Sequence, residues 1–534
     1  MKNLILFITL LLFSFLHSSA FGLRNTTSNK NSFNLPLPEK KNTISYIKVD
    51  SLVITRFFKV YPNLKKHKLD VLSLYKKRNY HSVWFDQEGI IEFAHLLHSK
   101  VDQLEQEGLK SSFAYKDKVA LIFNKQVTPT LTPTETELLL STMFVFYAKK
   151  VYKGIDPEKI RGIGWFIPPK NLSYTTLLQS LLTDPQSLDK DDNLLFGQYY
   201  KLRDVLKKYQ QMEQNGDWNV IVKDSSIREY KPGDTSKTIA QIRQRLAITG
   251  DLRKDSKSNR YDEELLTGIL NFKKRNGYKS DPIITSSHIQ RLNIPIENYI
   301  KTIMVNMERC RWIAPELNKA PEYIIVNIPS FKLFFKRDGK TELESNIFVG
   351  STMNETVIFS SMISHLVFSP YWNIPTSIVQ SEIKTAMDGD KNYLIDNDME
   401  WNKGRVRQKP GPKNPLGKVK FIFPSSNDIY LHDSPSKTLF ESEYRAYSHG
   451  CININKAQEL AYLILNNNPD WPVERIKKAM DGGKETTCYL KNKIPVHLGY
   501  FTTWVNDSGE ISFFNDIYQR DDRLAELLFD TDSK

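Results

Sequence analysis

One cysteine stands in company that suits chemistry. The run Ser448-His449-Gly450-Cys451-Ile452-Asn453 follows Tyr430-Leu431-His432-Asp433 closely in sequence. A thiol is a modest nucleophile until it loses its proton, and an imidazole within reach both takes that proton and steadies the resulting anion. Glycine at 450 lets the backbone turn tightly enough for neighbouring N–H groups to face one point, the arrangement that stabilises an oxyanion in acyl transfer. On the residues alone, a metal site or a disulfide half remains open as an alternative. Metal ligation is the weaker of these, because no second cysteine or close carboxylate stands at ligand spacing. With His432 closing a strand and Cys451 opening the next turn, the two are expected to meet across a hairpin.

The segments around this pair read as β structure. Tyr323 to Pro329 and Lys332 to Lys336, with a turn at Arg337 to Lys340, form an expected hairpin, and strand-like runs recur at Phe348–Gly350, Ser364–Phe368, Lys418–Phe423 and Ile429–Leu431. Between them, Ser377 to Met387 has helical spacing and the stretch to Gly411 is polar and poorly periodic, long for an inert connection. We expect a lid over a cleft at about 377–411, with a surface insertion as the plainer alternative. Upstream, a helix is expected over Tyr299 to Trp312.

Residues 231–297 pattern as a compact helical unit, with Ile239, Ile242 and Leu246 on one stripe and Leu265, Ile269 and Phe272 on another. Residues 45–230 are mainly helical in period, over Leu69–Tyr75, Ile91–Leu104, Thr134–Val151, Tyr174–Leu182 and Tyr199–Met212. Trp84 and Trp165 within them are expected in the core. At the N-terminus, Lys2 precedes the apolar run Leu4 to Leu16, and Ser18 and Ala20 are small residues placed for cleavage. An export signal is expected at 1–20 and a flexible tether at 21–44, which puts the rest beyond a membrane, in the periplasm or cell envelope.

A formal charge of +13 suits contact with an anionic polymer or an anionic membrane surface, and simple solubility accounts for it as well. Lys and Arg are not interleaved with aromatics as a nucleic-acid platform requires, so nucleic acid is excluded as a partner. Three cysteines, Cys310, Cys451 and Cys488, are too few for a disulfide framework, and their odd number leaves at least one unpaired. Cys310 and Cys488 are expected to be buried free thiols, with a mutual disulfide as the alternative. The sequence leaves the oligomeric state undetermined.

The residue pattern resembles the L,D-transpeptidases with a YkuD-type catalytic domain. Beyond His432 and the Ser448–Cys451 motif, the resemblance covers Trp372-Asn373-Ile374-Pro375, Pro410 to Gly417, Phe423-Pro424-Ser425-Ser426 and Leu431 to Pro435. These runs are similar to the large, multi-domain branch of the family. Residues Ile242 to Leu246, Gly250-Asp251-Leu252, Tyr261-Asp262 and Phe272 to Gly277 likewise resemble a peptidoglycan-binding-like module, and a structural spacer fits them equally.

The resemblance implies a multi-domain chain: a helical scaffold at 45–230, a small helical module at 231–297, and a mainly β catalytic domain at 298–534 with the lid inserted. It implies Cys451 as nucleophile and His432 as general base, oriented by the Asp433 carbonyl. Ser448, His449 and Gly450 would shape the oxyanion hole with the Cys451 N–H, and Tyr430, Arg445, Asn453 and Trp372 would lie near the substrate. Close relatives often carry Arg where this chain has Asn453. The implied substrates are peptidoglycan stem peptides, and no metal or cofactor is implied.

Overall fold

The helical half is built around one helix, Pro133–Tyr147. Thr132 and Glu135 cap it reciprocally, Pro133 occupies the first turn, and every residue from Thr136 to Tyr147 is buried. A helix apolar on nearly all sides has to be surrounded, and Lys68–Lys77, Glu92–Asp102, Tyr174–Thr183 and Gln198–Asn215 are among the helices that do so. Its buried carboxylate, Glu137, is satisfied by the Tyr75 hydroxyl at 2.6 Å and the N–H groups of Val83 and Trp84 at 2.6 and 3.1 Å. Trp84 is itself a core residue, and its indole N–H donates to Ser141 Oγ. Trp165 is also buried.

In this computed structural model the described residues are 47, 49–124, 131–166, 170, 172–190, 194–424 and 429–529. The expected export signal and tether fall outside them, as do Ser425 and Ser426. Among the described residues, no helix is long and apolar enough to cross a membrane.

The small helical unit has its own core, with Ile239, Ile242, Leu246, Leu265, Ile269 and Phe272 inside it. Several of its charged residues pair within it. Arg243, fully buried, holds Asp262 and Glu264 at 2.7 and 2.9 Å, Lys273 holds Asp281 at 2.6 Å, and Arg275 pairs with Asp251. The next helix, Ile296–Trp312, contains the expected boundary at 298. Its inner face packs into the scaffold core through Ile303, Met307 and Cys310, while Val305 and Trp312 belong to the core of the β domain.

Among the described residues, nine strands make the main sheet of the β domain: β1 (Glu322–Asn327), β2 (Lys332–Arg337), β3 (Lys340–Gly350), β4 (Phe359–Phe368), β5 (Val419–Ile422), β6 (Leu431–His432), β7 (Ala446–Ser448), β8 (Ile452–Ile454) and β9 (Thr486–Gly499). Their order is β7-β3-β8-β6-β5-β4-β9-β1-β2, and β2 pairs back with β3. The pairing therefore returns on itself, with β7 as an extra strand on β3. Closure removes the open edges that a flat sheet would expose. β3 makes this possible by its length: Lys340 to Asn346 pair with β2, and Ile347 and Phe348 pair with β8.

The inserted segment is a small folded unit. Trp372–Asn373, Met399–Asn402 and Arg405–Gln408 form a three-stranded sheet, and the helical run from Thr376 to Gly389 packs Ile378 and Ile383 against Ile374 and Val406.

Candidate active site

β6 and β8 run parallel, with Leu431 opposite Ile452 and His432 opposite Asn453. Leu431, Ile452 and Ile454 point into the apolar core. By the two-residue period of a strand, His432 and Asn453 share the other face, and Cys451, immediately before β8, belongs to that same face. The expected hairpin is thus corrected. A hairpin needs consecutive antiparallel strands, whereas here the connecting chain makes the turn Lys437–Glu441, lays β7 along β3, and returns.

His432 is 5% exposed, and its Nδ1 lies 2.6 Å from the Asp433 carbonyl oxygen. A carbonyl only accepts, so Nδ1 carries the proton and Nε2 keeps the basic lone pair. Burial pushes the imidazole down to about 4, against the upward pull of the Asp433 backbone and carboxylate. The ring is therefore neutral well into the acid range.

Asp433 is held as firmly as the ring. Its buried carboxylate accepts from the Lys418 N–H at 3.0 Å and from Lys437 Nζ at 2.8 Å, and Lys437 continues to the Asn455 carbonyl at 2.6 Å. Gly417, at φ +60, leaves room for that carboxylate, which a Cβ there would overlap. The backbone whose carbonyl orients His432 is thereby held by the residue that precedes β5 and by the turn that follows β6.

The nucleophile turn has a separate support. Gly450 adopts φ +109, a conformation open to glycine. Its N–H donates to Ser448 Oγ at 3.1 Å, and the Ser448 hydroxyl donates to the Cys451 carbonyl at 2.6 Å. In this conformation the Gly450 N–H is engaged, so it is not an open oxyanion donor. The Gly450 carbonyl accepts from the Thr356 hydroxyl at 2.9 Å, which in turn accepts from the Gly350 N–H. Tyr518 closes the network: its hydroxyl donates to the Gly350 carbonyl at 2.6 Å and accepts from the Thr356 N–H at 3.2 Å. Sequence reasoning missed Gly350, Thr356 and Tyr518, since they are remote in sequence and carry no spacing signal.

The other expected residues divide. Tyr430 lies beside the base, its ring 5.7 Å from that of His432. Asn453 is buried next to His432 by register. His449 is exposed, and its Nε2 is 3.8 Å from Glu382 on the inserted helical run, where the insertion meets the nucleophile turn. Arg445 donates to the carbonyls of Ile347, Ser442 and Phe331 and lies over the Phe331 ring, so its guanidinium holds backbone. Trp372 belongs to the small sheet of the insertion, opposite Gln408. Cys310 and Cys488 are buried free thiols, and burial raises the pKa of both, that of Cys488 to about 11.

Residues 321–475 match the YkuD family, described as the L,D-transpeptidase catalytic domain, and residues 70–206 match the Scaffold domain. The chain therefore carries a YkuD-type L,D-transpeptidase catalytic domain behind a Scaffold domain. A curated Haemophilus influenzae protein named "Putative L,D-transpeptidase" is 34% identical over 256 residues, covering 44% of this chain and 51% of the relative. The chain thus spans about half the length of that relative. Solved structures with a similar chain include an L,D-transpeptidase from Mycobacterium smegmatis, 9% identical over 34% of this chain and 58% of its own, TM-score 0.20. Another is L,D-transpeptidase from Stackebrandtia nassauensis, 14% identical over 51% of this chain and 95% of its own, also TM-score 0.20. At these TM-scores the superpositions add nothing to the family match.

Proposed function

We propose that this protein is an L,D-transpeptidase of the bacterial cell envelope, exported by its N-terminal segment, and that its substrates are peptidoglycan stem peptides. The observation that carries the reading is the parallel juxtaposition of Cys451 with an imidazole whose Nδ1 is fixed on the Asp433 carbonyl, leaving Nε2 as the base. His432 Nε2 takes the thiol proton as Cys451 Sγ attacks the carbonyl carbon of the third residue of a tetrapeptide stem. The tetrahedral intermediate collapses, the C–N bond breaks, and the imidazolium gives its proton to the departing amine of D-Ala. A ring with a pKa near 4 is a strong acid once protonated, which favours this step. The thioester is then attacked by an amine of a neighbouring stem, His432 accepts that amine's proton and returns it to the thiolate, and a three-to-three cross-link results.

Water in place of the amine would make the same site an L,D-carboxypeptidase. The folded insertion that touches His449 through Glu382 favours transfer, because covering the thioester limits water. The test is incubation of the purified protein with tetrapeptide muropeptides and mass analysis of the products. Cross-linked dimers that have lost D-Ala are expected. Tripeptide monomers alone would replace transfer by hydrolysis, and no product at all would overturn the reading.

A further inference from the structure

The register that sets Asn453 against His432 continues on the other side of the base. Lys420 of β5 stands directly opposite His432, and Val367 of β4 opposite Lys420. Opposed residues on neighbouring strands project from the same face, so Lys420 flanks His432 on the side away from Cys451. Its Nζ is 5.9 Å from the Tyr430 ring. Burial lowers the pKa of His432 and of His365, and the charge of Lys420 adds to the lowering of both.

This lysine has no evident structural duty. Among the described residues its ammonium makes no hydrogen bond or ion pair. Burial lowers its pKa, and the carboxylate opposing that, Glu485, is engaged by the Tyr371 N–H at 2.8 Å. A half-buried cation without a close partner is costly to keep, and the cost is offset when an anion arrives from outside.

The chemistry of the proposed reaction, on which this inference rests, says where that anion sits. Sγ bonds the acyl carbon, and the departing amine has to lie at His432 to receive its proton. A carboxylate on the same carbon as that amine is two bonds further on. Neighbouring strands are about 4.8 Å apart, so a group displaced from His432 toward β5 by that reach meets Lys420. We propose that Lys420 binds the α-carboxylate of the residue released from the donor and, once that residue has left, the carboxylate beside the attacking amine of the acceptor. The amine enters where the amine departed, so one cation reads both.

The test compares kcat/KM for a tetrapeptide donor with a free C-terminal carboxylate and for the same donor as its C-terminal amide, in the native protein, Lys420→Met and Lys420→Arg. The native protein is expected to prefer the carboxylate by about ten- to a hundredfold, the range of a charge-assisted hydrogen bond. Lys420→Met should abolish the preference by slowing the carboxylate donor far more than the amide donor, and Lys420→Arg should restore most of it. No preference in the native protein, or an equal loss on both donors in Lys420→Met, would overturn the assignment; the second result is what a lysine lying along Tyr430 for packing alone would give. A native protein that turns over neither donor overturns the acyl-transfer reading instead.

Discussion

The two histidines of the site are opposites. His432 is buried, its tautomer set by one carbonyl, and the residue that supplies the carbonyl is pinned by Lys418, Lys437 and the space at Gly417. His449 is mostly exposed and meets a single carboxylate, Glu382, at 3.8 Å. The base side of the site is over-determined, whereas among the described residues His449 meets the insertion through a solvent-screened ion-pair contact. In the proposed reaction the first would stay fixed between turnovers and the second would admit and release stems, so the contrast would separate chemistry from access.

The strongest way to break that contrast is to remove each ring in turn. His432→Ala is expected to lower kcat/KM by about a thousandfold, within the range for loss of a general base, and His449→Ala by about tenfold or less. Equal losses would show that both rings take part in proton transfer.

Titration sharpens it next. With the folded His432 near 4, the acid limb of kcat/KM should fall near pH 4 rather than near 6.5. The same ring ties stability to pH. An unfolded imidazole takes up its proton near 6.5 while the folded one resists until about 4, so the unfolded chain binds more protons in between. The contribution is fully present above about 6.5 and is lost as the pH falls toward 4, and buried His497, also near 4, acts in the same sense. Thermal melts between pH 7.5 and 4.5 should therefore show a falling midpoint.

The smallest effect concerns Glu382. Exposed ion pairs contribute little, so Glu382→Gln is expected to change kcat/KM by about two- to fivefold at most and to raise the ratio of hydrolysis to transfer. A loss as large as that of His432→Ala would place the insertion inside the chemical step.

Local pattern made much of this visible. The period of Tyr199 to Met212 anticipates the helix Gln198–Asn215, that of Thr134 to Val151 anticipates Pro133–Tyr147 with its added turn Ala148–Lys153, and alternating Val, Ile and Phe anticipate β1, β2 and β4. The motif around Cys451 was legible because its residues are adjacent. What stayed hidden depends on register between distant strands. Nothing local says that β6 and β8 are parallel, that Lys420 lies beside His432, or that Thr356 and Tyr518 reach the Gly450 turn. The imidazole's depressed pKa was likewise hidden, since burial is a property of the closed sheet and not of the sequence Leu431-His432-Asp433.

β9 and Tyr518 come late in the chain, and that order has a consequence for synthesis. β9 fills the gap between β4 and β1, and Tyr518 completes the bonds behind Gly450, yet both lie beyond Cys451. A nascent chain that has already exposed its thiol still lacks the strand that closes the barrel and the hydroxyl that completes the support of the nucleophile turn. The thiol is made before the strand and the hydroxyl that support it, so the turn around Cys451 can assemble only once both have been synthesised.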